Sequence, residues 1–300
     1  MTNYLLSSFL TVTDELLNEA TVEELALAGR YRQIRAAVSA YSHDRPDIYV
    51  EDESGDGGKY YVMVGGSALL AQWVDGFSHV LSIEYPAATV ASDEAPTYLE
   101  VDDYDDDYWV DVSGTQTRYL YFKNASPAAT DTWRIAYTIP YKWTASSTTV
   151  AVPQTAHGLS VDDYTYYNGS EYVEAVNPDL ASHRVTAVAD VDNFTAAILQ
   201  TTTPGGDFDA ICYKSACLIC RAIAAKYSRI GDTLVGVDSA AHTTKATEFS
   251  NRAREFCDMY NNLLGLAAAG DGAVRDAAAG EFVDLDTTPT WRRGRGYLFH

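Results

Sequence analysis

Val22, Leu25, Ala26, Gly29, Ile34, Ala37 and Val38 recur three and four residues apart, the spacing that lines one face of an α-helix. Thr21-Val22-Glu23-Glu24 spells a capping box ahead of them, so a helix is predicted over 21–41, closed by Pro46. A shorter helical turn is expected at 14–19, a flexible acidic loop at 51–58 and another short helix at 67–76. From Val80 the pattern changes to β-branched and aromatic runs bounded by Pro, Gly, Asn or Asp, which predicts antiparallel strands at 80–86, 118–122 and 133–139.

Five further short strands are predicted at 148–153, 164–167, 172–176, 184–189 and 194–198, separated by His157-Gly158, Asn168-Gly169, Asn177-Pro178 and Asp192-Asn193. Turn signals at that spacing suggest a small sandwich or barrel, and Pro204-Gly205-Gly206 then returns the chain to helix. An amphipathic run from Asp209 through Ile219 and Ile223 to Tyr227 is expected to break at Gly231-Asp232. A second helix starts near His242, carries Ala246, Phe249, Ala253, Phe256 and Tyr260 on one face, and ends at Gly265. So short a link makes the two an antiparallel pair. The small residues of 267–280 read as linker.

The pattern therefore predicts an α+β fold: a helical-bundle body with an antiparallel β excursion, an inserted small β-sandwich or barrel module, and an extended C-terminal tail. The expected segments are 1–80, the N-terminal helical part of the body; 81–145, the β excursion with its acidic loop; 146–206, the inserted module; 207–265, the helical pair; and 266–300, linker and tail. With 300 residues, 47% of them hydrophobic and 21% charged, the chain is ordinary globular material that can bury a core without a metal or disulfide. No run approaches the roughly 18 apolar residues of a membrane span, and the first residues lack a basic signal region, so a soluble, unexported chain with no membrane partner is expected.

Charge narrows the function. The formal net charge is −21, and 86–207 holds 18 acidic residues against 5 basic ones. Such a chain repels phosphate, so contact with DNA, if any, is expected to be repulsive. Cys217-Leu-Ile-Cys220 is a CxxC by spelling, but it lies inside an apolar helical run, not at a helix N-terminus or in a loop pair; Cys212, Cys217, Cys220 and Cys257 read as small buried hydrophobes in a reducing environment. None of the six histidines stands three to five residues from another His or from a Cys, and His43 and His157 read as turn residues. No nucleophile elbow, Walker loop or GxGxxG is present, so no catalytic residue, cofactor or metal is expected.

Two segments carry the candidate chemistry. Asp102, Asp103, Asp105, Asp106 and Asp107 form an acidic face with Tyr104, Tyr108 and Trp109 anchoring it. Asp103, Asp105 and Asp107 begin like a calcium loop, but Tyr108 stands where the turn needs Gly and Gly114 where a bidentate Glu belongs. Trp291, Arg292, Arg293, Arg295, Tyr297, Leu298 and Phe299 have the aromatic-plus-arginine composition of an interface anchor that orders on contact.

The succession "IEYP", "PTYLEVDDYDDDYW", "RYLYF", "WRIAYTIPYKWT", "ICYKSACLICRAIAAKYSRIGD" and "HTTKATEFSNRAREFCDMYNNLLG" resembles the head-to-tail connector (adaptor, head-completion) proteins of tailed bacteriophages. The resemblance covers 21–141 and 209–265, while 148–203 departs from the family pattern as an added β-module. It implies a structural virion protein and no enzyme, in an oligomeric ring of about twelve copies beneath the portal. The implied location is the neck of the virion, assembled in the host cytoplasm. The implied partners are the portal protein, other copies of the chain, and tail or neck proteins (stopper, tail terminator or nozzle). The acidic residues would face an interface or the DNA exit channel, which genomic DNA would pass without specific binding, and the Arg-aromatic tail would dock on the portal.

Two other classes compete. The tyrosines of 164–172 suit a phage tail or decoration protein with a carbohydrate-binding β-module, and Asp162-Asp163 would suit glycoside hydrolysis only if two acids faced each other across a cleft.

Overall fold

The computed structural model describes residues 1–18, 24–63, 70–87, 95–110, 116–167, 171–175, 181–233 and 237–266. It is a mixed α+β chain with four α-helices and three antiparallel sheets among those residues. Among the described residues the chain divides into two compact units, one made of Met1–Tyr41 with 141–266, the other of Ser42–Pro140. The 146–206 segment falls in the same unit as the helices Leu6–Leu17, Phe208–Thr233 and Val237–Leu263.

In the first unit, β1 (Thr2–Leu5) leads directly into α1 (Leu6–Leu17), and α2 spans Leu27–Asp44. Leu6, Phe9, Thr13 and Leu17 are the buried face of α1, a helical spacing that makes this helix longer and earlier than the turn expected at 14–19. Glu24–Ala26 are turn and coil, so α2 starts later than the helix expected from 21; the first three residues of the capping box lie outside the described residues. Tyr31, Ile34, Ala37, Val38 and Tyr41 bury its inner face against Leu6, Phe9, Leu199 and Ile211.

The β-module is built from β8 (Trp143–Pro153), β9 (Tyr164–Tyr167), β10 (Tyr172–Glu174), β11 (His183–Asp190) and β12 (Asn193–Thr203). All five expected strands are present, but they form one antiparallel sheet in the order β1-β12-β11-β9-β10, with β8 on the other edge of β12. The sandwich or barrel expectation is thereby corrected. β12 is longer than expected because its C-terminal half pairs Thr203 with Thr2 and Gln200 with Leu5, while Leu199 enters the same core as Phe9. The module is thus stitched into the body by the N-terminal strand.

After β12 come α3 (Phe208–Thr233) and α4 (Val237–Leu263). Ile211, Cys212, Ser215, Ala216, Ile219, Cys220 and Ile223 are all fully buried along α3. Gly231-Asp232 does not end α3, because one Gly costs only about 1 kcal/mol in a helix that packing holds. The two helices are antiparallel: Tyr213 meets Phe256, Lys214 meets Tyr260, and Tyr227 meets Phe249. Cys217 and Cys257 face each other across the pair and are joined in a disulfide, with Cα atoms 5.4 Å apart. This corrects the reading of all four cysteines as free; only Cys212 and Cys220 are free, both buried. Forty residues separate the bonded pair, a distance that sequence spacing does not interpret.

The second unit packs two three-stranded sheets on one core. One has the order β2 (Asp47–Ser54), β7 (Thr132–Ile139), β4 (Val80–Glu84); the other has β3 (Tyr60–Val62), β6 (Gln116–Phe122), β5 (Tyr104–Val110). Trp133 is fully buried between them, its ring 5.2 Å from that of Tyr61 and 5.3 Å from that of Phe122. The acidic loop expected at 51–58 is half strand, because Glu51 and Asp52 find partners on β7: the Tyr137 hydroxyl donates to Glu51 at 3.0 Å and Arg134 grips Asp52. The chain then turns at Gly55, whose missing Cβ leaves room for the carbonyl oxygens of Pro127 and Ala128, each of which would lie 2.3 Å from it. Residues 70–76 are turns and coil where a helix was expected, tied by the Ser78 hydroxyl, which accepts from the Val74 amide. Among the described residues no helix is long and apolar enough to cross a membrane.

Candidate functional site

The acidic run does not form one face. Val101–Asp103 is a single 3-10 turn closed reciprocally by Glu100 and Asp103, and Asp103 also accepts from the Asn124 amide at 2.7 Å. From Tyr104 the chain is extended, so successive side chains alternate between the two faces of the sheet. Tyr104 points into the core and is 8% exposed, and its burial pushes the phenol up to about 12.

Asp106 and Tyr108 share that face with Tyr104, and both engage Arg118 of β6. Asp106 accepts from the guanidinium at 2.8 Å, and the guanidinium carbon sits 5.2 Å from the ring centres of both Trp73 and Tyr108. The Tyr108 hydroxyl donates to Asp75, which also approaches Arg118 at 3.5 Å. Two carboxylates, one cation and two rings thus meet in one knot. It holds β5 and the 70–78 turn against β6.

Asp105 and Asp107 point the other way. Pairing sets them opposite Tyr121 and Tyr119, and on the far side of β6 the register continues to Tyr60 and Val62. The Tyr60 and Tyr121 rings stack at 4.6 Å. Asp105 is paired with Lys123 at 2.9 Å, and Asp107 engages the backbone amide of Tyr108. Asp102 is exposed on the preceding turn. The result is a sheet face bearing tyrosine rings beside a short row of carboxylates. Such a face attracts arginine and lysine side chains and repels phosphate. It offers no nucleophile–base pair.

The other candidates divide. The tail residues Trp291, Arg292, Arg293, Arg295, Tyr297, Leu298 and Phe299 lie outside the described residues, as does the linker. Asp162 pairs with Arg184 at 3.0 Å, and Asp163 accepts the Ser160 amide at 2.6 Å, so both carboxylates serve a turn. Tyr164 and Tyr166 pack on the body core, and the Tyr172 ring meets Phe194 and His183 edge-on. These rings are used in packing. Among the described residues no three His, Cys, Asp or Glu side chains gather where a metal could bind.

Two open grooves of about 450 and 530 Å³ run along α3 and α4, lined by Arg221, Arg254 and small residues such as Ser250 and Ala246. Neither contains a cysteine thiolate or a histidine. The buried thiols are inert, with desolvation pushing Cys212 up to about 12 and Cys220 up to about 11. Sequence reasoning missed the Arg118 knot; the alternation of 104–110 was the available signal, and it becomes readable only once the segment is taken as a strand. No family model, no curated protein and no solved structure matches the chain.

Proposed function

We propose that the chain is a structural protein of a tailed-bacteriophage virion, a head-to-tail adaptor that forms a ring beneath the portal, joins capsid to tail and lines the DNA exit channel. In this reading the helices and the sheet stitched to them form the body, with 146–206 as an added module and 266–300 as a linker and portal-docking tail. The observation that carries it is the outward row of Asp105 and Asp107 beside stacked tyrosines on a chain of net charge −21. A channel wall must let a duplex slide without adhering, and an excess of acidic over basic side chains along a sheet does that even with Asp105 paired to Lys123.

A ring also needs two different complementary faces on each copy. In this reading the acidic sheet face and the groove of α3 and α4, lined by Arg221 and Arg254 together with Asp258, are the two faces that meet. The tail would add a tethered second contact to the portal and raise avidity through effective concentration.

Native mass spectrometry of the chain co-expressed with the portal protein of the same genome tests the reading. A complex with a ring's worth of copies, about twelve, is expected. A monomer that ignores the portal overturns the adaptor assignment and favours a decoration role.

A further inference from the structure

Within the sheet β2-β7-β4, β2 has a strand neighbour on one side only among the described residues. It is an eight-residue edge on which Ile48, Tyr49 and Val50 are 40%, 36% and 53% exposed. A long edge with exposed apolar residues invites another strand, and native proteins cover such edges. The second half of β2 is acidic. Asp52 is clamped by Arg134 and Glu51 accepts from Tyr137, but Glu53 has no ion pair among the described residues. Its burial, with Glu51 and Asp52 nearby, pushes the Glu53 carboxyl up to about 7. The edge is thus apolar first and under-compensated acid second.

The segment 291–299 is the complement of this edge read in the opposite direction, with Arg292, Arg293 and Arg295 first and Tyr297, Leu298 and Phe299 second. In antiparallel pairing, cations meet acids and apolar residues meet apolar residues. One register sets Arg293 opposite Glu53, Arg295 opposite Glu51, Tyr297 opposite Tyr49 and Leu298 opposite Ile48. Gly294 and Gly296 then fall opposite Asp52, which Arg134 already neutralises, and Val50. A one-residue slip would move both arginines off the face that carries Glu51 and Glu53. The chain between Leu266 and Trp291 spans on the order of 80 Å when extended at about 3.3 Å per residue.

We propose that the segment 291–299 adds to the free edge of β2 of its own chain as an antiparallel strand. Main-chain hydrogen bonds supply the attachment and the alternating side chains fix the register. The inference concerns the free chain and does not rest on the adaptor reading; a portal would have to compete with β2 for this segment.

Hydrogen exchange over 47–54 in the full-length chain tests it. Arg293→Glu with Arg295→Glu is expected to speed exchange in β2 about tenfold while β7 is unchanged, and adding Glu51→Arg with Glu53→Arg is expected to restore the slow rate. Exchange that ignores the tail charges overturns the proposal. A second measurement guards against a misfolded charge variant: Ile48→Cys with Leu298→Cys is expected to oxidise to a cross-linked monomer, whereas Ile48→Cys with Arg292→Cys is not. Equal cross-linking of both pairs, no cross-linking, or cross-links only between two copies would each overturn the own-chain strand.

Discussion

Arg134 on β7 stands directly opposite Asp52 of β2 on one side and Glu84 of β4 on the other, and its guanidinium holds both. Nε and Nη2 donate to Asp52 at 2.6 and 3.0 Å, and Nη1 donates to Glu84 at 3.1 Å. One cation thus fixes the register of three strands.

The two carboxylates are unequal, which yields the first prediction. The Glu84 side chain is 4% exposed and that of Asp52 51%. Arg134→Met is expected to destabilise the fold by about 3 kcal/mol, because it takes the cation away from a buried carboxylate. Asp52→Ala is expected to cost less than about 1 kcal/mol, as an exposed pair does. Urea unfolding of the two variants compares them, and equal costs would refute the buried-charge account.

The Cys217–Cys257 bond closes a 40-residue separation, so its chain-entropy contribution is about 3–4 kcal/mol. The Cys217→Ala, Cys257→Ala chain is expected to lose that much, with α3 and α4 still paired because Ala216, Ile219, Ile223 and Phe249 are buried between them. Disulfides are rare in the cytosol. In the adaptor reading the bond closes after assembly, and chain purified under reductant should already be folded, with a lower Tm. A chain that is unfolded when reduced would contradict this.

His183 is 9% exposed, has its Nδ1 2.8 Å from the Ser182 hydroxyl, and is held neutral by burial, which lowers its pKa from 6.5 to about 4. As pH falls below 6.5 the unfolded chain binds a proton that the folded chain refuses until about pH 4. The stability from the neutral ring is therefore full above pH 6.5 and lost as pH falls toward 4. Relative to His183→Gln, the parent chain is expected to lose up to about 3 kcal/mol across that window. Parallel unfolding free-energy curves for the two chains would rule it out.

The acidic strand makes opposite predictions for adjacent residues. Asp106→Asn is expected to cost about 1–2 kcal/mol, since it removes the nearer of the two carboxylates on a largely buried Arg118. Asp105→Asn with Asp107→Asn is expected to leave stability within about 1 kcal/mol, because both are exposed. If the outer row serves as a repelling wall, that same double variant should gain affinity for duplex DNA at low salt, read by filter binding.

What the sequence determined by itself is what local period encodes. The buried faces of α2, α3 and α4, eight of the strands, and the acidic, tyrosine-rich character of 102–109 follow from side chains spaced three to four or two apart. Half of the candidate site was legible in this way, namely which residues carry charge. Which of them are spent was not legible. Among the described residues Asp106 meets a cation and Asp107 does not, because Arg118 and Trp73 come from other elements. The same reason covers the misses: 51–54 became strand through Arg134 and Tyr137, Thr2 found Thr203, and Cys217 found Cys257. Each joins residues from 40 to 201 positions apart, and only the packed chain brings such positions together.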